Sequence, residues 1–167
     1  MERPSIRRRP GRRPTHYVRA LLAGLAIAGC GTATSPSGDV QLQLATCAFS
    51  YTSDETGNES CTASLAPTAS GAAVSGVIES VEFIGPNGPL PANHEVATGL
   101  YVYSSPAAED IASKSFGPQP YSWTIYASTA PPVDVGSFPV KVRVTYRLNG
   151  ASQSQTLEAD VTVVVSQ

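Results

Sequence analysis

The run Phe138-Pro139-Val140-Lys141-Val142-Arg143-Val144-Thr145-Tyr146-Arg147-Leu148 alternates almost perfectly, with apolar residues at even positions and polar residues or proline at odd ones. Successive side chains of a strand point to opposite faces, so this period of two fits a half-buried β-strand and not a helix. Leu157-Glu158-Ala159-Asp160-Val161-Thr162-Val163 repeats the pattern with its odd positions apolar. Between the two runs stands Asn149-Gly150, a pair favoured in tight hairpin turns because both residues tolerate positive φ. A two-residue turn sets Phe138 beside Val161 and Lys141 beside Glu158. A four-residue loop keeps the same faces inward and sets Arg143 beside Glu158 and Lys141 beside Asp160.

Earlier strands are written less sharply. Val40, Leu42 and Leu44 share one parity, whereas Cys47, Phe49 and Tyr51 take the other. Such a switch marks a bulge, or a break where the chain passes between two sheets. Ser60–Leu65, Gly76–Ile84, Leu100–Ser104 and Tyr121–Ser128 are further strand candidates, separated by turn clusters such as Gly85-Pro86-Asn87-Gly88-Pro89. Ser105-Pro106-Ala107-Ala108-Glu109 opens a helical turn in this reading, with Ser105 as its cap. The expected fold is all-β, a two-sheet antiparallel β-sandwich of about seven or eight strands. The alternating Val140–Tyr146 and Val161–Val165 strands resemble the immunoglobulin-like class found in bacterial envelope proteins. The cysteines depart from the antibody-type pattern, because Trp123 follows both of them instead of lying between.

The first thirty residues carry a different signal. Arg3, Arg7, Arg8, Arg9, Arg12, Arg13 and Arg19 lead into an apolar stretch from Ala20 to Ala28, then Gly29-Cys30. A basic start, a short apolar stretch and small residues make a secretory leader. About 20 apolar residues are needed to span a bilayer, and this stretch has roughly half that. Pro10 and Pro14 stand where a twin-arginine signal wants apolar residues. Ala26-Ile27-Ala28 is an A-x-A pattern that an ordinary signal peptidase cuts after Ala28. Ile27-Ala28-Gly29-Cys30 also resembles the lipobox of bacterial lipoproteins, which implies lipid attachment at Cys30 and cleavage before it.

On this reading residues 1–29 are the signal peptide, 30–38 a flexible Ser/Thr/Gly/Pro tether carrying the lipidated Cys30, and 39–167 the β-sandwich domain. The lipoprotein resemblance implies a place in the cell envelope, anchored to the membrane through lipid outside the cytoplasm. Gly31 is not the aspartate that favours inner-membrane retention in the best-known sorting systems. The resemblance therefore favours the outer membrane or cell surface.

With Cys30 accounted for, Cys47 and Cys61 remain, and an oxidising compartment makes them a disulfide pair. The mature chain keeps Lys114, Lys141, Arg143 and Arg147 against twelve acidic residues, a net charge of −8. Such a chain has no basic footprint for nucleic acid.

No recognisable catalytic motif is present. His94 is the one histidine after the leader and lies in a proline-rich loop, and there is no G-x-S-x-G elbow. The acidic pairs Glu79/Glu82, Glu109/Asp110 and Glu158/Asp160 read as solvated faces before they read as a glycosidase dyad. Asp54, Glu55, Asn58 and Glu59 concentrate oxygen ligands of a kind that suits calcium, without EF-hand spacing. Tyr101 and Tyr103 share one strand face, opposite Leu100 and Val102, so one of these pairs points outward. Outward tyrosines are able to stack on sugar rings or anchor a protein. Tyr121, Trp123 and Ile125 share a face that reads as core.

The expectation is thus a lipid-anchored, non-catalytic envelope module that binds a protein partner, with glycan or calcium binding as the alternative. Mass analysis of the membrane-extracted protein is expected to find a chain that begins at lipid-modified Cys30. A chain beginning at unmodified Gly29 contradicts the lipobox.

Overall fold

The computed structural model describes residues 32–45, 47–68 and 74–167. The leader and Cys30 lie outside the described residues. In chain order the elements are β1 (Thr32–Thr34), β2 (Val40–Ala45), β3 (Ala48–Thr52), β4 (Asn58–Pro67), β5 (Gly76–Gly85) and β6 (Gly88–Pro89). Then follow β7 (Glu95–Ala97), β8 (Leu100–Ser105), α1 (Ala108–Ile111), β9 (Ser115–Phe116), β10 (Tyr121–Thr129), β11 (Gly136–Leu148) and β12 (Gln155–Ser166). Among the described residues no helix is long and apolar enough to cross a membrane.

The strands make two sheets that face each other, an all-β sandwich. The first sheet runs β1-β2-β4-β10-β8-β7 and the second β3-β12-β11-β5-β6, with β9 beside β5. Counting β2 and β3 as one split strand, the long strands run 1-2-5-4 in the first sheet and 3-6-7 in the second. That is the immunoglobulin-like order. The core lies between the sheets, where Leu42, Leu65, Val102 and Ile125 of the first meet Ile78, Val140, Val144 and Val163 of the second. Trp123 is in this core, at 3% exposure, on β10.

The C-terminal hairpin takes the four-residue register, with Arg143 opposite Glu158 and Lys141 opposite Asp160. The parity switch after Leu44 is a change of sheet: β2 pairs with β4 in the first sheet and β3 with β12 in the second. The chain keeps its direction while crossing, so β3 lies parallel to β12, and the sandwich is not antiparallel throughout. A bulge in β5 shifts its register against β11 near Tyr146. It turns Ile78 inward although Val81 and Phe83 have the other parity.

Two readings change. Residues 32–38 are not a free tether: β1 pairs with β2, and Ser35 accepts the Val40 N–H through its hydroxyl at 3.1 Å. Gly38, at φ 77°, supplies the left-handed turn of this hairpin. Ser105 does not cap a helix, because its backbone is committed to the β8–β10 ladder opposite Thr124. The helical turn begins at Ala108, and Ala107 caps it without a side-chain hydrogen bond.

Two ties, one covalent and one polar, join β3 and the residue before it to the first sheet. Cys47 is bonded to Cys61 on β4, with the Cα atoms 5.2 Å apart. Tyr51 donates its hydroxyl to the Ala127 carbonyl at 2.6 Å and accepts the Glu59 N–H at 3.1 Å. Ala127 and Glu59 face each other in the β10–β4 ladder, so one buried hydroxyl bridges both strands. Burial pushes the Tyr51 phenol up to about 12.

Replacing Cys47 and Cys61 with alanine is expected to lower stability by roughly 3 kcal/mol in urea titrations, since the bridge closes a loop of about 15 residues. Tyr51→Phe is expected to cost about 1–3 kcal/mol by leaving two backbone groups unpaired. The phenol's pKa is raised on folding, so its contribution is complete below about pH 10 and fades as pH climbs towards 12. Alkaline titration of Tyr51→Phe should therefore show a flatter loss of stability.

Candidate binding face of the first sheet

The outer surfaces of the two sheets differ in chemistry, and the strand sequences set this difference. On the second sheet, Lys141 lies 3.5 Å from Glu158 and 3.7 Å from Asp160. Arg143 lies 2.7 Å from Glu158 and 3.5 Å from Glu82, and Arg147 donates to Glu79 at 2.7 Å. The hydrogen bond from Arg143 holds the Glu158 carboxyl below its usual range, helped by Lys141. Glu79 is lowered first by the Ser154 hydroxyl and then by Arg147. Four of the sequence's acidic candidates, Glu79, Glu82, Glu158 and Asp160, thus belong to an exposed ion-pair lattice rather than to a cleft.

At the outward positions of β2, β4, β10 and β8 the first sheet carries no charged side chain. Glu59 of β4 has the inward parity at the strand's exposed end, and Glu95 of the edge strand β7 stands opposite Tyr101. Trp123, Ile125 and Ala127 of β10 point inward, so its even positions face out as Ser122, Thr124, Tyr126 and Ser128. Cys61, Ala63 and Leu65 point inward from β4, which leaves Ser60, Thr62 and Ser64 outside. Leu100 and Val102 are fully buried on β8, so Tyr101 and Tyr103 are the outward pair. Gln41 and Gln43 extend the same face on β2.

The register gathers the tyrosines. Tyr126 is opposite Tyr103 on β8 and opposite Ser60 on β4. The Tyr103 and Tyr126 rings stack at 5.4 Å and 13°. Tyr101 is opposite Ser128 on β10 and Glu95 on the edge strand β7. The Glu95 carboxylate is occupied by its own loop, accepting from Asn93 Nδ2 at 3.2 Å and from the Gly99 N–H at 3.4 Å. His94 flanks Tyr103 at 6.3 Å between ring centroids. Its φ of 61° is the left-handed region, held by N–H donation to Pro91 O at 2.8 Å and acceptance from the Val102 N–H at 3.0 Å. His94 also lines a shallow apolar depression of about 230 Å³ with Val81, Phe83, Leu90 and Pro91. Tyr126 was not among the residues the sequence singles out. Its signal was there: it has the opposite parity to Trp123 and Ile125, which read as core.

The acidic loop is held by hydrogen bonds and by packing on Tyr51. Glu55 has its carbonyl occupied by the Thr129 hydroxyl at 2.7 Å, and its carboxylate receives the Thr52 hydroxyl at 3.3 Å. Asn58 and Glu59 are strand residues opposite Ser128 and Ala127, while Asp54 is an exposed turn residue. Among the described residues no three His, Cys, Asp or Glu side chains gather as a metal site. Gly57 sits against the Tyr51 ring, where a Cβ would approach within 2.4 Å, so this loop is shaped by packing on Tyr51.

The chain matches no protein-family model and no curated protein.

Glu158 and Glu79 have lowered pKa values on folding, so their stabilisation is complete above the ordinary glutamate range near about 4.3 and is lost as pH falls through and below it. Urea midpoints are expected to fall slightly from pH 5 to 3, less so in Glu158→Gln and in high salt. An unchanged slope in Glu158→Gln would show that the ion pairs contribute nothing.

Proposed function

We propose that this chain is a non-catalytic binding module, held in the bacterial envelope through lipid on Cys30, and that it engages another envelope component through the outer face of the first sheet. The observation that carries the reading is the outward tyrosine cluster, Tyr101, Tyr103 and Tyr126, on an otherwise hydroxyl- and amide-bearing sheet face. Aromatic rings combine an apolar body with a polar tip, and they lose little freedom when already ordered by stacking. The second sheet offers less, because its charged groups already satisfy one another.

The lipidated anchor follows from the lipobox-like Ile27-Ala28-Gly29-Cys30, and the Cys47–Cys61 bond suits the oxidising side of the membrane. The non-catalytic reading draws on the pairing of Glu79, Glu158 and Asp160 with cations and on the lack of a base–nucleophile motif in the sequence.

Site-specific photo-cross-linking in intact cells tests the face. A photoreactive residue at Ser122 is expected to give a discrete adduct, and the same residue at Thr156 on the opposite sheet is expected to give none. Adducts from Thr156 alone, or equally from both, would overturn the assignment.

A further inference from the structure

We infer that the occupant of the first sheet's outer face is an uncharged carbohydrate chain, an inference that rests on that face being the binding surface. The mature chain carries a net charge of −8, yet no charged side chain stands on the outward positions of β2, β4, β10 or β8. A charged partner laid there would be stripped of water and find no counter-charge, which is costly. At the β7 edge Glu95 stands opposite Tyr101, but its carboxylate is held by Asn93 and the Gly99 N–H, so charge complementarity still selects a neutral ligand.

The groups that are present match a polyol. Serines and threonines at 60, 62, 64, 122, 124 and 128 both donate and accept, and Gln41 and Gln43 add amide donors and acceptors. Neighbouring strands lie about 4.8 Å apart and same-face residues about 7 Å along a strand, so the hydroxyls form a regular grid. A sugar chain presents repeating hydroxyls of the same dual character. Its C–H faces pack on the electron-rich faces of aromatic rings. Tyr103 covers one face of Tyr126, and the register neighbour beyond Tyr126 is the small Ser60. A ring face therefore borders the hydroxyl grid.

A protein partner fits less well. Protein interfaces centre on desolvated apolar anchors in pockets. Among the described residues the large hydrophobic side chains with most exposure are Val135 and Val164, and neither belongs to the first sheet. The face is a sheet surface of hydroxyls and rings without an exposed aliphatic anchor.

The test uses the full-length protein, extracted from membranes in detergent. It is passed over immobilised cellulose, mannan, galactomannan and β-1,3-glucan, with polygalacturonate and chitosan as anionic and cationic controls. Retention is expected on at least one neutral polymer and should be insensitive to salt, since screening acts only on charges. The Tyr103→Ala/Tyr126→Ala double variant should weaken that retention tenfold or more. Thr124→Glu, which keeps every ring and adds one charge to the grid, should do the same. Thr156→Ala on the opposite sheet should leave it unchanged, and urea midpoints report whether each variant folds. Retention on none of the neutral polymers, or only on a charged one, overturns the carbohydrate inference. So does retention that survives both face variants. If Ser122 still gives an adduct in cells under those outcomes, the face stands and its occupant is a protein or a second copy of this chain. If Thr156 alone gives adducts, the face itself is wrong.

Discussion

The architecture depends on one short crossing. Between Ala45 and Ala48 the chain leaves the first sheet and enters the second. Because β2 and β3 are both buried on their inner side, the crossing fixes the separation and relative slide of the two sheets. The Cys47–Cys61 bond and the Tyr51 hydroxyl secure it from either end of β3. Without such ties, the hydrophobic effect alone presses two sheets together but does not set their register, since apolar burial is non-directional. Directional groups at β3 supply what the apolar core cannot.

That division of labour extends outward. The inner faces of both sheets are the same mixture of Val, Leu, Ile and aromatic residues. The outer faces, which burial does not constrain, carry opposite chemistries. One is a lattice of mutually satisfied charges, worth little to stability when exposed. The other is hydroxyl-rich and aromatic, with Glu95 at its β7 edge.

How much was legible in the sequence follows from the same distinction. Strict alternation in Phe138–Leu148 and Leu157–Val163 revealed both the strands and their inward faces, because core burial acts on every second residue. The parity switch from Leu44 to Cys47 revealed the change of sheet for the same reason. The sequence could not choose between two loop lengths at Asn149-Gly150, since both bury the same residues; the structure takes the longer one, which sets Arg143 opposite Glu158. The β5 bulge was hidden because apolar residues occupy both parities there, Val77 beside Ile78 and Phe83 beside Ile84. The stacked pair of Tyr103 and Tyr126 was illegible for another reason. Its members are 23 residues apart, and only the β8–β10 register brings them together.

The β1–β2 hairpin alters how the module would sit on a membrane. If lipid is attached at Cys30, strand β1 lies only two residues further on, from Thr32. Two residues reach at most about 7 Å. The anchor is then almost without slack. Four strand spacings, about 19 Å, separate β1 from β8 across the first sheet. The tyrosine cluster's stand-off from the bilayer would be set by the width of a sheet and not by the wandering of a linker. A module mounted in that way samples a narrow, fixed band of the envelope, and it meets only components that occupy the same band.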